Sequence, residues 1–231
     1  LIFVVFAIHT SWFQTWMAQQ ASAYLSRQLG TEVSIEKVEI EFFDALNFEE
    51  VYVEDIQQDT FLYVHSLTAD IVDWSLEDEF VEVGDVGLTG GHIHMRKYKG
   101  DSTLNFQHII DYFASDDPDT TSSNFRIGVQ KFSLDDIHFI YDDENKDPVD
   151  HGLDYAHIDL YKLHGEFSDF NFANKELGVQ IADLRFVEKS GLQLMHLTSK
   201  LSYSEKQIGL KNLKLGLYHS YLFAEYFQLQ T

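Results

Sequence analysis

From Glu32 onward the chain alternates apolar and polar residues with a period of two, in run after run. Val38, Ile40 and Phe42 alternate with Glu39 and Glu41, and Val51 and Val53 flank Tyr52. Ile127 and Val129 lead into Phe132 and Leu134. A strand sends successive side chains to opposite faces, so each run dictates a half-buried strand with one apolar and one polar face. Further runs occupy 62–64, 67–71, 81–83, 93–95, 137–141, 184–186 and 213–217. The expected fold is mostly β: an N-terminal helical segment, then an extended, curved antiparallel sheet with one short helix. Phase slips at Glu36–Lys37 and Gly84–Asp85 mark places where one extra residue suits a bulge or a turn.

The first 31 residues carry no Asp or Glu, whereas the remainder carries all 38. They open on an apolar run, Leu1 to Ile8, too short to cross a bilayer, which takes about 20 residues of helix. The run is therefore expected to be the end of a longer transmembrane helix. Trp12, Phe13, Trp16, Met17, Ala21, Tyr24, Leu25 and Leu29 then recur at helical spacing, and Gly30 is the expected stop. Residues 1–30 thus read as a membrane helix continued by an amphipathic helix. Trp12, Phe13 and Trp16 are the membrane-interface candidates, because aromatic residues gather at headgroup depth. An A-x-A-like site at Ala21 to Ala23 suits a cleaved signal peptide, but it lies too far beyond the apolar run.

Composition narrows the function. With no Cys, a disulfide framework, a Cys-ligated zinc site and a Cys nucleophile are all excluded. A net charge of −22 opposes binding to nucleic acid and to anionic headgroups, so any contact with lipid must use an apolar surface. Leu104, Phe106, Ile109, Ile110 and Phe113 predict a short helix, and the Asp/Ser/Thr-rich stretch after it reads as a flexible loop over 115–124. A weak repeat places Leu62, Val64 and Leu67 in the pattern of Leu153, Tyr155 and Ile158, and again of Leu192, Leu194 and Leu197. Each copy follows a strand and an acidic or Gly-containing turn, as in a sheet extended by repetition. Further strands are expected beyond Thr231.

Chemistry-bearing motifs are few. His92 and His94 share one strand face, as in some metal sites, but no third ligand is placed near them, and a solvated face is the reading. Asp142 to Asp147 lacks the Gly and the ligand spacing of a calcium loop and reads as an acidic turn. Gly-rich phosphate loops, a nucleophile elbow and a Ser/His/Asp constellation are missing from the sequence, so no catalytic residue, metal or cofactor is assigned.

The helix around Trp12 and Trp16, the stretch from Thr31 to Ile40 and the hairpin from Val51 to Ile71 resemble the N-terminal end of the TamB family, and 102–113 and 125–141 extend the likeness. These are inner-membrane subunits of the translocation and assembly module, within the AsmA-like group of bridge-like lipid-transfer proteins. The resemblance implies a U-shaped β-groove over 31–231, with phospholipid acyl chains as cargo. It also implies a single-pass inner-membrane anchor and a β domain in the periplasm of a diderm bacterium. Its outer-membrane partner would be a barrel of the Omp85 family, TamA-like or another assembly barrel. On that reading Val38, Ile40, Phe42, Val51, Val53, Ile127, Val129, Phe132 and Leu134 line the groove. The alternation itself fits equally a membrane-anchored β-sandwich scaffold that binds proteins by its sheet edges and conducts no lipid.

Overall fold

The computed structural model describes residues 10–41, 45–75, 80–114, 129–173, 176–204 and 206–230. Helix α1 (Ser11–Leu29) is followed by β1 (Val33–Ser34), β2 (Lys37–Glu41), β3 (Ala45–Glu54), β4 (Thr60–Ser75) and β5 (Phe80–Lys97). Helix α2 (Gln107–Ala114) comes next, and then β6 (Lys131–Asp143), β7 (His157–Ala173), β8 (Glu176–Glu188), β9 (Gln193–Ser204), β10 (Gln207–Leu217) and β11 (Ser220–Gln230). Gly30 ends α1 in the left-handed conformation, φ 72°, returning its N–H to Ser26 O, a stop that glycine adopts without a Cβ penalty.

All strands join one sheet in the order β1-β3-β4-β5-β6-β7-β8-β9-β10-β11, with β2 as a second partner of β3. Neighbours are antiparallel except β5 and β6, which run parallel from Asp85↔Lys131 to Lys97↔Asp143. The curved antiparallel sheet expected from the sequence is found, with this parallel pair as a feature the strand pattern did not foresee. A parallel pair needs a crossover of a dozen or more residues, and the α2-bearing connection between Lys97 and Lys131 is that crossover. The expected flexible loop at 115–124 lies outside the described residues, as do Leu1 to Ile8.

Several runs that read as separate strands are halves of one long strand. Phe132 and Leu134 belong with Ile137 and Phe139 in β6, although the two pairs are out of phase. Asp136 between them takes a left-handed φ of 51°, and Glu50, Gly90 and Lys162 do the same at 52°, 59° and 52°. Each is followed by a member of one registered row, Val51–Val64–Gly91–Ile137–Leu163. The phase switch therefore crosses the sheet in line. It lets Phe48 and Val51, Leu134 and Ile137, and Leu160 and Leu163 share one apolar cluster although each pair is three residues apart. A left-handed residue with a side chain costs on the order of 1 kcal/mol, a cost offset by keeping the second half of each strand on the apolar side. At Gly84–Asp85 the register steps by three residues in β5 against two in β4, at the slip seen in the sequence.

Hairpins at one end of the sheet close on buried carboxylates. Asp55 Oδ1 accepts the N–H groups of Gln57 and Asp59, Asp143 Oδ1 that of Asn145, and Glu188 Oε2 that of Ser190. The acid that ends the strand, followed by the turn it caps, is the physical unit behind the weak repeat.

Candidate functional site

The helices mark the apolar face of the sheet. Gln14 and Ala18 are buried on α1, and Met17, Ala21, Leu25 and Leu29 pack with Val33, Ile35, Val38 and Val51. Ser22 and Ser26 bond the outer edge of β1. Ile35 N donates to Ser22 Oγ at 2.9 Å, Val33 N donates to Ser26 Oγ at 2.8 Å, and Ser26 Oγ donates to Val33 O at 3.1 Å. The first margin of the sheet is thus sealed by hydroxyls, one way of blunting an edge that invites pairing. Beside the crossover, Phe106 stacks on Phe61 with ring centroids 4.9 Å apart.

The predicted groove residues divide. Val38, Val51, Val53 and Leu134 are buried in the one cluster and Phe132 packs against it. Ile40 is half-buried opposite Leu46, and Val129 is half-buried just before β6. Phe42 and Ile127 lie outside the described residues. Those at the β1–β3 end are therefore floor beneath α1, not open lining. Past the helices the same face is uncovered among the described residues, yet Leu163, Val179, Ile181 and Leu213 are buried. Sequence reading missed the exposed members of this face, Leu177, Tyr203, Phe227 and Leu229. Alternation marks a face but not what lies over it.

The membrane-interface candidates also divide. Trp12 is 77% exposed and Trp16 45%, while Phe13 is half-buried, its ring 5.7 Å from that of Trp16. The single stripe expected on α1 is corrected to two: an apolar seam on the sheet, and a separate exposed pair of Trp12 and Trp16, while Tyr24 meets α2, its hydroxyl 3.5 Å from that of Tyr112. The expected N-terminal membrane span finds no support, since among the described residues no helix is long and apolar enough to cross a membrane.

The opposite face is polar and cross-paired. His94 lies 3.0 Å from Asp142, His138 2.7 Å from Asp159, His164 3.1 Å from Asp135 and His196 3.0 Å from Asp183. Burial, with His138 and His94 nearby, holds His92 below the ordinary imidazole value. Among the described residues no three His, Cys, Asp or Glu side chains converge as a metal site. A polar cleft of about 520 Å³ at the end of α1 is lined by Arg27, Thr31, Glu32, Glu54 and Asp55. Within it the carboxylate of Asp55 is engaged in closing the β3–β4 turn.

The fold and site define a single curved sheet, apolar on one face, with a helix along its first margin and β11 as the last described strand. Comparison of the chain with protein-family models, curated proteins and solved structures returns no match.

Proposed function

We propose that this chain is the membrane-proximal part of an inner-membrane-anchored periplasmic protein whose apolar face carries phospholipid toward the outer membrane. It would support outer-membrane biogenesis together with an Omp85-type barrel, and would act as a conduit, not an enzyme. The observation that carries the reading is the in-line phase switch through Val51, Val64, Gly91, Ile137 and Leu163. It keeps apolar side chains on one side of the sheet from β3 to β7, as a continuous surface for hydrocarbon requires. Each methylene moved from water onto such a surface returns about 0.8 kcal/mol. Trp12 and Trp16, directed away from the sheet, suit the anchoring end.

A second reading, a scaffold that binds proteins by its sheet edges, fits the same alternation of one apolar and one polar face. Native mass spectrometry of the full-length protein extracted from membranes tests the two. Phospholipid retained through purification supports the conduit. Lipid-free protein with a co-purifying polypeptide supports the scaffold.

A further inference from the structure

The charge carried by the strands changes along the sheet. From β2 to β8 the strand cations Lys37, Arg96, Lys97, Lys131 and Arg185 each pair with a carboxylate, and Lys162 at the phase switch is the exception among the described residues. On β9 and β10 the habit stops. Lys200, Lys211 and Lys214 are exposed, and none of them forms an ion pair among the described residues. Lys200 and Lys211 stand directly opposite each other across the two strands, a like-charge pair that weakens a sheet. This happens in a chain whose acids outnumber its lysines and arginines by 38 to 16. Asn212 is left-handed at φ 54°, and the register steps between Lys211 and Lys214. Lys211 and Lys214 therefore share the face opposite to buried Leu213. Their partners on β11 share it too, through Lys211↔Tyr226, Lys214↔Phe223 and Gly216↔Tyr221. All three rings are exposed, Tyr221 by 79%, Phe223 by 71% and Tyr226 by 51%.

We infer that Lys200, Lys211 and Lys214, with Tyr221, Phe223 and Tyr226, form a docking surface for an acidic segment of a partner protein. The surface lies on the face opposite the apolar one, so it stands whether or not that face carries lipid. Charge complementarity selects the occupant. Three amines without a counter-ion call for carboxylates, and the one acid nearby on β8, Asp183, is already held by Arg185 and His196. The rings point to a polypeptide, because exposed aromatic side chains anchor protein interfaces. An extended anionic plane fits less well. It would also meet Asp135, Asp142 and Asp159 on the same face of β6 and β7, whereas a short segment meets only the cationic patch. The three lysines lie on strands that have a neighbour on each side. Charges placed in this way set specificity and the rate of encounter more than affinity.

The test uses fluorescein-labelled decaglutamate, titrated against the full-length protein in detergent with anisotropy as the readout. A net charge of −22 opposes adventitious binding of such a probe. The expected result is saturable binding at low salt that is lost near 1 M salt, where the screening length falls to about 3 Å. Lys200→Gln with Lys211→Gln should weaken it about fivefold, as the loss of two exposed ion pairs implies. Lys99→Gln with Lys146→Gln, the same change of net charge at exposed lysines elsewhere, should leave it unchanged. Lys200→Gln alone should not lower the melting temperature, since it removes one of two opposed like charges. No saturable binding, or an equal loss in both double variants, overturns the docking surface. Tighter binding of short-chain phosphatidylglycerol, used below micelle formation, overturns the protein segment in favour of a lipid headgroup. Phe223→Ser with Tyr226→Ser should weaken a peptide of alternating Glu and Leu more than it weakens decaglutamate, and equal effects overturn the part given to the rings.

Discussion

Replacing Asp55 with alanine should unlatch the sheet from its crossover. Asp55 is fully buried and its carboxylate accepts four hydrogen bonds. Gln57 N (2.8 Å) and Asp59 N (3.1 Å) reach Oδ1, while Tyr98 Oη (2.7 Å) and Asn105 Nδ2 (2.8 Å) reach Oδ2. In the alanine variant Tyr98 keeps Asp59 at 3.0 Å and Asn105 keeps the carbonyl of His94 at 3.0 Å. The two turn N–H groups keep nothing comparable. A hydrogen bond to a charged group contributes about 1.5–3 kcal/mol, and two of the four are lost without a replacement, so the expected loss is about 3–5 kcal/mol. For a chain of this size that lowers the melting temperature by roughly 10 °C.

The Asp55 carboxyl has a pH signature as well. Burial alone would raise its pKa, but hydrogen bonds from Asn105, Tyr98 and the turn N–H groups outweigh it and leave the carboxyl below its ordinary value. Its contribution is therefore present above the unfolded pKa of about 3.9 and is lost as pH falls through the lower folded value. Asp55→Asn should flatten the acid limb of the stability curve by that contribution. Thermal melts by circular dichroism between neutral and acid pH measure both effects. A loss under about 1 kcal/mol in Asp55→Ala, on the scale of an ordinary surface substitution, would refute the latch.

Ser22→Ala with Ser26→Ala should strip the β1 edge of its hydroxyl partners, costing about 1–2 kcal/mol per site and speeding hydrogen exchange at the amides of Val33 and Ile35; unchanged exchange there would count against the seal. Gly91→Ala should abolish folding, because at φ 144° a Cβ would stand 2.0 Å from Tyr63 O, whereas Lys162→Gly should relieve a left-handed residue and stabilise by up to about 1 kcal/mol in urea titration. Ile137→Asp, at a fully buried position, should remove the protein from cells. Leu210→Asp, at a half-buried position, should leave abundance near normal and impair outer-membrane integrity, with immunoblot and detergent sensitivity as the readouts.

The strands were legible because period two survives in nearly every half-strand, and Gly84–Asp85 betrayed its register break by interrupting that period. The switches at Glu50, Asp136 and Lys162 were not. Glycine usually marks a left-handed backbone, and a charged residue between two apolar runs looks the same whether the strand ends there or only changes phase. The parallel pairing of β5 with β6 was hidden for a related reason: a helix followed by a polar stretch serves equally as a boundary and as a crossover. For the candidate site, the sequence identified the apolar face through Val38, Val51, Val53 and Leu134. It gave no sign that α1 lies over the first three of these. That cover depends on how Ala18 and Met17 meet the sheet, a tertiary contact that no local pattern encodes.

The unequal margins of the sheet bear on how the chain acquires its shape. Past the crossover, every strand pairs with its immediate neighbour in sequence, from β6 through β11. Contacts of such short range form quickly, because little chain entropy is lost in closing each loop. The slow event is the meeting of β5 with β6 across the long α2-bearing connection. With α1 fastened to β1, hairpins can then be added one at a time in a single direction, like a zip with one end stitched. At each stage only the newest strand leaves its backbone unpaired, and the following hairpin covers it. The interval during which a sticky edge is open to the wrong neighbour is thereby limited to the time needed to fold one more turn.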